Sequence, residues 1–573
     1  MSDAPSGRTA RLTSRRLAVA AILALTLAAA IVRQESGPNQ AAHYALVRAL
    51  ASGTAEIDPR ETIDAAFVDG RYYAAKAPGL AMLVVPWYAV LRVAGLQDDP
   101  RASVARYRGR LWQLTLAGAV LPWLVLLVLM RSAAERVAPG WGTAAAVLLG
   151  TGTLLLPFAT LLFAHLLSAA LGFLAFWLLL RTRDRASPWW HVTVAGGVAG
   201  VAVVVEFGLA LVAAVLGCLA VGLAGGGRLR RGAAYAGGVL AGVTPLLAYN
   251  TWAFGSPTTL SYTNALTAPA GEGAPAVGAN EEGLYGVTLP GLREAMSLLF
   301  SEKGLLVVSP LCAIVLAGLP LLWRAGRRAE ALVCAAVPAA FLVYNAAYYL
   351  PFGGQGPGPR FLVPALPFLV LPLVAALRAW PLPVAGVGVA SAGVMTLATV
   401  TGPVTGVEHG IELWLERLGD GAFVDSPVGP PAGALAFTLL VGAALVLAVV
   451  SLPDRAWSRQ EPLLRLAALG AWLVVVRVTP ELLPADAEHG TREGAVAVLV
   501  LAVALGAGLA LAWRRGAAYL VPLVPLALLA APQLTSRPRW SALLVALLLV
   551  SAVIAWRRLA TSQRGGADRE AAL

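Results

Sequence analysis

The sequence predicts an all-α polytopic membrane protein with about 14–16 transmembrane helices. Three observations carry that reading. Apolar residues make up 58% of the 573 positions and charged residues only 13%, where a soluble domain carries about 25%. The apolar residues fall in successive runs close to the length a helix needs to cross a bilayer. Arginines cluster in short groups at the ends of those runs, which is the positive-inside pattern. The net charge of +12, which in a soluble chain would suggest a nucleic-acid partner, is accounted for by those clusters.

In chain order, Arg8, Arg11, Arg15 and Arg16 precede an apolar segment at 17–32. They place residues 1–16 in the cytoplasm and the polar run that follows outside. The competing reading is a secretory signal peptide, with Ala28-Ala29-Ala30 as its cleavage site. The polar run, 33–80, gathers Glu35, Glu56, Asp58, Glu61, Asp64 and Asp69 with His43 and Lys76, one of only two lysines in the chain. A chain that otherwise uses arginine and keeps lysine here points to a need for a compact ammonium. Within this loop, 41–51 has helical apolar spacing and Gly53 as a stop, a helix long enough only to lie on the membrane surface. Asp69-Gly70 reads as a turn.

The segment 78–96 is apolar but interrupted by Pro86, and the five arginines of 92–110 follow it. Counted alone, those arginines favour a span. If 78–96 instead lies at the outer interface, the later arginine clusters, from Arg131/Arg136 through Arg324/Arg327/Arg328 to Arg557/Arg558, all fall inside. On that parity spans follow near 111–130, 141–158, 162–180, 191–206, 207–224, 233–250, 304–323, 330–350, 361–378, 381–400, 433–453, 463–478, 494–512, 517–533 and 541–556. The stretch 192–224 is too long for one helix and has Glu206 at its midpoint, so it reads as two short helices turning at that carboxylate. A solvated turn residue is the plainer reading of Glu206.

Further outer loops are expected at 251–303, 351–360 and 401–432. The second is glycine-rich, with Gly353, Gly354, Gly356 and Gly358 letting backbone approach a ligand, and Arg360 follows it at the membrane surface. Headgroup anchoring is the ordinary use of such an arginine. Cys218, Cys312 and Cys334 lie in apolar runs without metal-ligand spacing and read as small core residues, with no disulfide. Walker, zinc and dinucleotide-binding patterns do not occur, which disfavours ATP-driven transport by this chain alone.

The order His43-Tyr44, Ala49-Leu50-x-x-Gly53, Gly70-Arg71-x-Tyr73 and Lys76-x-Pro78 resembles the first external loop of the class C glycosyltransferases, the superfamily of aminoarabinose transferases and protein mannosyltransferase-like enzymes. Phe254-Gly255-Ser256-Pro257, Lys303-Gly304-Leu305 and Gly358-Pro359-Arg360-Phe361 look like tracts of a bacterial branch of that group. The likeness implies a catalytic membrane module over 17–380, with 381–573 a variable transmembrane tail. It implies a plasma-membrane enzyme that moves a sugar from a polyprenyl-phosphate donor to an envelope acceptor (lipid, glycan or protein) at the outer face, with inversion and with an acidic residue of the first loop as base.

Physical chemistry fits those roles. A lipid phosphate needs fixed cations, for which Lys76, Arg360 and Lys303 are the candidates, and these also stabilise the leaving phosphate. The acceptor must lose a proton to a group within hydrogen-bond reach. The position where the family carries its acid is Asn39 or Gln40 here, neither of which can be a base. Asp64 is the favoured substitute, and Glu35 the other. A second family acid is replaced by His165, which reads equally as a ligand, a base partner or a hydrogen-bonded helix residue. Asn39, His43, Tyr44, Arg71, Tyr73, His165 and Glu206 complete the candidate substrate site. Carboxylates with His43 or His165 leave a divalent cation open, although no ligand spacing supports one. Two other readings stand beside the enzyme: a transporter or flippase for a lipid or lipid-linked sugar, and an inactive relative acting as a scaffold, which Asn39 permits.

Overall fold

The computed structural model describes residues 7–95, 104–183, 189–223, 227–267, 277–278, 283, 286–406, 410–453, 461–483 and 492–515. The spans predicted at 517–533 and 541–556 lie outside the described residues.

The described chain is helical apart from one short hairpin. Helix α1 (Gly7–Ile31) leads into the polar loop, where α2 (Pro38–Ala51) starts with proline in its first turn and stops before Gly53, which has φ +80°. Strands β1 (Ala65–Val68) and β2 (Arg71–Ala74) follow, then α3 (Gly79–Val93). Helix α4 (Val104–Thr115) runs through one π-helical turn into α5 (Leu121–Val137). The segment predicted as a span at 141–158 is instead broken into α6 (Gly142–Thr151) and α7 (Leu155–Phe158), both fully buried. Helix α8 (Ala164–Arg183) is next. Then α9 (Trp189–Val205) and α10 (Leu209–Gly222) turn at Glu206, as the sequence predicts.

Helix α11 (Arg228–Phe254) packs on α9 with almost no side chain between them. A Cβ added at Gly242 would stand 2.2 Å from the carbonyl oxygen of Gly197, so only glycine permits this approach. The predicted span 304–323 is bent: α12 (Leu292–Phe300) and α13 (Leu305–Val308) meet α14 (Leu311–Arg324) at 88°. Helix α15 (Arg328–Ala347) precedes the glycine-rich loop. Pro364 and Pro367 keep Arg360–Leu369 in a 3₁₀ coil before α16 (Val370–Ala379). The chain continues with α17 (Pro381–Thr401), α18 (Ile411–Gly419), α19 (Pro430–Val450), α20 (Glu461–Leu482) and α21 (Arg492–Arg515). Among the described residues seven helices are long and apolar enough to cross a membrane, or eight if the bent pair forms one span. Several of the predicted spans are therefore shorter or broken helices.

Long-range contacts sort the loops to two ends. At one end Arg33 pairs in a bridge with Asp425, Ala66 with Ala265, and Val287 with Tyr348, while Gly356 N–H donates to Thr405 O. Segments 33–80, 251–303, 351–360 and 401–432, all predicted to be outer loops, are thus bonded to one another. At the other end Arg327 donates to Arg136 O, and Arg231 to Thr182 Oγ1. Arg108 Nη2 bonds Glu35 Oε1 at 2.8 Å, which puts the start of α4 at the same end as the finish of α1. Helix α3, lying between them, therefore does not change ends. All three cysteines are free; Cys312 and Cys334 are buried, but Cys218 is exposed rather than in the core.

Candidate functional site

The polar loop has a core of its own, in which Ala42, Leu46 and Val47 of α2 pack with Ile57, Tyr73, Leu80 and Val84 and with Leu162 and Val205. That core seats the loop on the helix ends. Asp69 (φ +48°) and Gly70 (φ +83°) both take left-handed backbone, the two-residue turn that an Asp-Gly pair favours. The register pairs Ala65 with Ala74, and Ala75 N–H donates to Asp64 O, so Asp64 and Lys76 stand side by side at the open end of the hairpin. Their side chains form a 3.0 Å ion pair.

Next to this pair lies a cavity of about 280 Å³. Asn39 and His43 of α2 line it, with Lys76, with His165 from the start of α8, with Glu206 from the α9–α10 turn, and with Tyr262, Tyr344, Tyr348, Arg360 and Phe361. The walls are mainly apolar, and the polar groups converge from seven separate stretches of chain. Arg360 is 8% exposed; its Nη1 donates to Gln355 O, and its guanidinium lies over the rings of Phe163 and Phe361 at 5.3 and 5.5 Å. Gly353, at φ +78°, makes room for it, since a Cβ there would stand 2.8 Å from Arg360 Nε.

Four buried polar atoms of the cavity-lining residues have no hydrogen-bond partner among the described residues: Asn39 Oδ1, His43 Nδ1, His165 Nε2 and Arg360 Nε. Burying such atoms unsatisfied costs about 1–3 kcal/mol each, so their concentration in one cavity marks a place built for a polar ligand. His165 Nδ1 and Glu206 Oε1 are 2.8 Å apart, and Ser168 Oγ donates to Glu206 Oε2 at 2.6 Å.

Burial, with the nearby positive charges of Lys76 and Arg360, lowers the pKa of His43 to about 3, so its imidazole is neutral. Burial works to raise the pKa of Asp64, but Lys76 outweighs it and holds the carboxyl below the usual range. Burial depresses the Lys76 ammonium, with Asp64 opposing. Burial and the Glu206 charge push the Tyr262 phenol up, leaving a neutral hydroxyl.

Of the residues singled out from sequence, Asn39, His43, Lys76, His165, Glu206 and Arg360 come together here. The others do not. Lys303, expected at the donor phosphate, is 1% exposed and donates to the carbonyls of Gly356, Thr405 and Gly406 and to Thr405 Oγ1. It fastens two loops together, and its shell of carbonyl oxygens disfavours an anion. Glu35, considered as a base, is 71% exposed and paired with Arg108. Asp64, the favoured base, is engaged by Lys76 and does not line the cavity. Arg71 is exposed and paired with Glu56, Tyr73 packs edge-on to Phe254, and Tyr44 packs against Tyr107. Gln40 joins α2 to the α7–α8 connection, accepting from Leu162 N–H and donating to Glu35 O. Among the described residues no three His, Cys, Asp or Glu side chains are grouped to hold a metal ion.

Sequence reasoning missed Ser168, Tyr262, Tyr344 and Tyr348. They sit within or beside apolar runs, and only the His165–Glu206 contact and the cavity give them significance.

No family model matches the chain, and no curated protein matches it in sequence. Among solved structures it is similar to ArnT from Cupriavidus metallidurans bound to undecaprenyl phosphate, with 15% identity and a TM-score of 0.47 over 88% of this chain and 77% of that one. It is similar to the apo form of the same protein, with 15% identity and a TM-score of 0.41 over 86% and 75%. The archaeal oligosaccharyltransferase AglB from Archaeoglobus fulgidus, in complex with an inhibitory peptide and a dolichol-phosphate, gives 12% identity and a TM-score of 0.40 over 83% of this chain and 61% of that one.

Proposed function

We propose that the chain is a membrane glycosyltransferase that takes a sugar from a polyprenyl-phosphate donor and passes it to an envelope acceptor at the face where the polar loops gather. The observation that carries this reading is the pair of buried cations, Lys76 and Arg360, on a mainly apolar cavity whose polar atoms lack partners. Two fixed cations suit one phosphate, and their attraction grows as that phosphate gains charge on leaving. The uncharged donors and acceptors of Asn39, His43 and Tyr262 suit the hydroxyls of a sugar. The apolar walls suit the first units of a lipid, and Phe361 and Tyr348 suit the faces of a sugar ring.

The test uses envelope vesicles from source cells that lack the chain and were grown on radiolabelled sugars, so that native donor and acceptor are both present. Adding the purified full chain should move label from the lipid-phosphate fraction into an envelope product, and Lys76→Ala should move far less. Movement of labelled lipid-linked sugar across the bilayer without any new product would establish a flippase instead.

A further inference from the structure

We propose that His165 takes the acceptor's proton, with Glu206 and Ser168 as positioning residues; this rests on the glycosyl-transfer reading above. A base needs a lone pair aimed at the substrate, an orientation that does not wander, and a partner that stabilises it once protonated. His165 has all three. A carboxylate only accepts hydrogen bonds, so the 2.8 Å contact with Glu206 places the imidazole proton on Nδ1 and leaves the lone pair on Nε2. That Nε2 is buried without a partner among the described residues, on a side chain lining the cavity.

The ring is wedged among Phe158, Phe163 and Phe361, whose centroids lie 5.4, 5.7 and 5.6 Å away. Glu206 is itself fixed, because Ser168 Oγ holds its second oxygen and the α9–α10 turn holds its backbone. The other candidates lack some part of this. Asp64 is engaged by Lys76, Glu35 is outside the cavity, and among the described residues no carboxylate hydrogen-bonds His43. Among the described residues, the charged and titratable groups lining the cavity besides Glu206 are His43, Lys76 and Arg360, with the phenols of Tyr262, Tyr344 and Tyr348, and Asp64 stands behind Lys76. Each oxygen of Glu206 is engaged, one with His165 Nδ1 and one with Ser168 Oγ, which fixes the carboxylate as the group that orients His165.

The step balances. The acceptor oxygen or nitrogen bonds to the anomeric carbon as the carbon–oxygen bond to phosphate breaks. The electron pair of the broken bond stays on the phosphate, which leaves with a second negative charge beside Lys76 and Arg360. The acceptor's proton goes to His165 Nε2 and then to the departing phosphate or to water, restoring the neutral ring.

The test measures kcat and KM in the vesicle assay, together with polyprenyl-phosphate binding by native mass spectrometry. His165→Gln and His165→Gly should each lose about 10²–10⁴-fold in kcat, with binding of polyprenyl phosphate kept. Added imidazole should restore about tenfold or more of the lost turnover in His165→Gly, since it supplies the same base. Glu206→Gln should lower kcat by about 10–100-fold with KM unmoved. Turnover within about threefold of wild type in both His165 variants overturns the proposal, and so does loss of lipid binding in both without imidazole rescue, because His165 would then be structural. If Glu206→Gln raises KM and leaves kcat alone, the positioning role is wrong. No transfer by the unmodified chain overturns the glycosyl-transfer reading and this proposal with it.

Discussion

Asp64 and Lys76 flank a hairpin of two four-residue strands and close its open end with a 3.0 Å ion pair. The lysine reaches the cavity and the aspartate does not. A cation at the edge of an apolar site is costly to bury alone, and the carboxylate behind Lys76 offsets that cost while leaving the ammonium able to meet an anion.

Lys76→Ala should therefore weaken polyprenyl-phosphate binding by about 1.5–3 kcal/mol, the range for a charge-assisted contact, or roughly 10–150-fold in Kd. Lys76→Arg should recover only part, because a planar fork does not fit a seat made for a compact ammonium. Titration by native mass spectrometry reads both. Wild-type affinity in the alanine variant would mark Lys76 as an interface anchor.

Asp64→Asn separates two roles. If Asp64 were the base, turnover would fall by about 10²–10⁴-fold with lipid binding kept. The ion pair predicts instead that binding and turnover fall together, since Lys76 loses its partner. The pair keeps some solvent contact, with 11% of the lysine and 30% of the aspartate side chain exposed, so the loss should stay below the about 3–5 kcal/mol of a fully buried pair. Measuring both quantities on one preparation decides between them.

Lys303→Met should destabilise the fold by about 3 kcal/mol or more, because it strands carbonyls that now share one ammonium. The expected signature is a lower Tm in detergent with the donor Kd of the surviving folded fraction unchanged. A large rise in Kd at constant Tm would return Lys303 to the phosphate site.

His43 predicts a pH dependence of stability. Its folded pKa, about 3, lies below the ordinary 6.5. Between those values the unfolded chain binds the extra proton, so stability falls as pH drops from about 6.5 towards 3, by up to about 1.4 kcal/mol per pH unit. Asp64, with its depressed folded pKa, adds a loss in the same direction only in the carboxylate range. His43→Gln should flatten the decline of Tm between pH 7 and 5, and an unchanged slope would remove His43 as its cause.

The two-ended arrangement predicts topology. A cysteine at Gly421, an exposed turn on the polar-loop end, should react in intact cells with a membrane-impermeant maleimide. One near Arg327, on the other end, should react only after permeabilisation. The reverse pattern would invert the orientation and put the cavity on the cytoplasmic side.

What the sequence determined by itself is what depends on neighbours in the chain. Apolar run length and arginine clusters announce a helical membrane protein, Asp69-Gly70 fixes the hairpin turn, Gly53 ends α2, and Glu206 marks the break between α9 and α10. These follow from local backbone preference and from the cost of placing charge in lipid. Tertiary structure decided which polar residues share a place. Lys76 and Lys303 are equally rare lysines in the sequence, yet one faces a cavity with a carboxylate behind it and the other is enclosed by carbonyls from loops 53 and about 100 residues away. Asp64 and Glu35 are both loop acids, and their partners, Lys76 and Arg108, emerge only when the hairpin closes and α4 returns to the same end. The role of a buried polar group is set by the atoms that satisfy it or fail to, and those come from stretches of chain that no sequence window contains together.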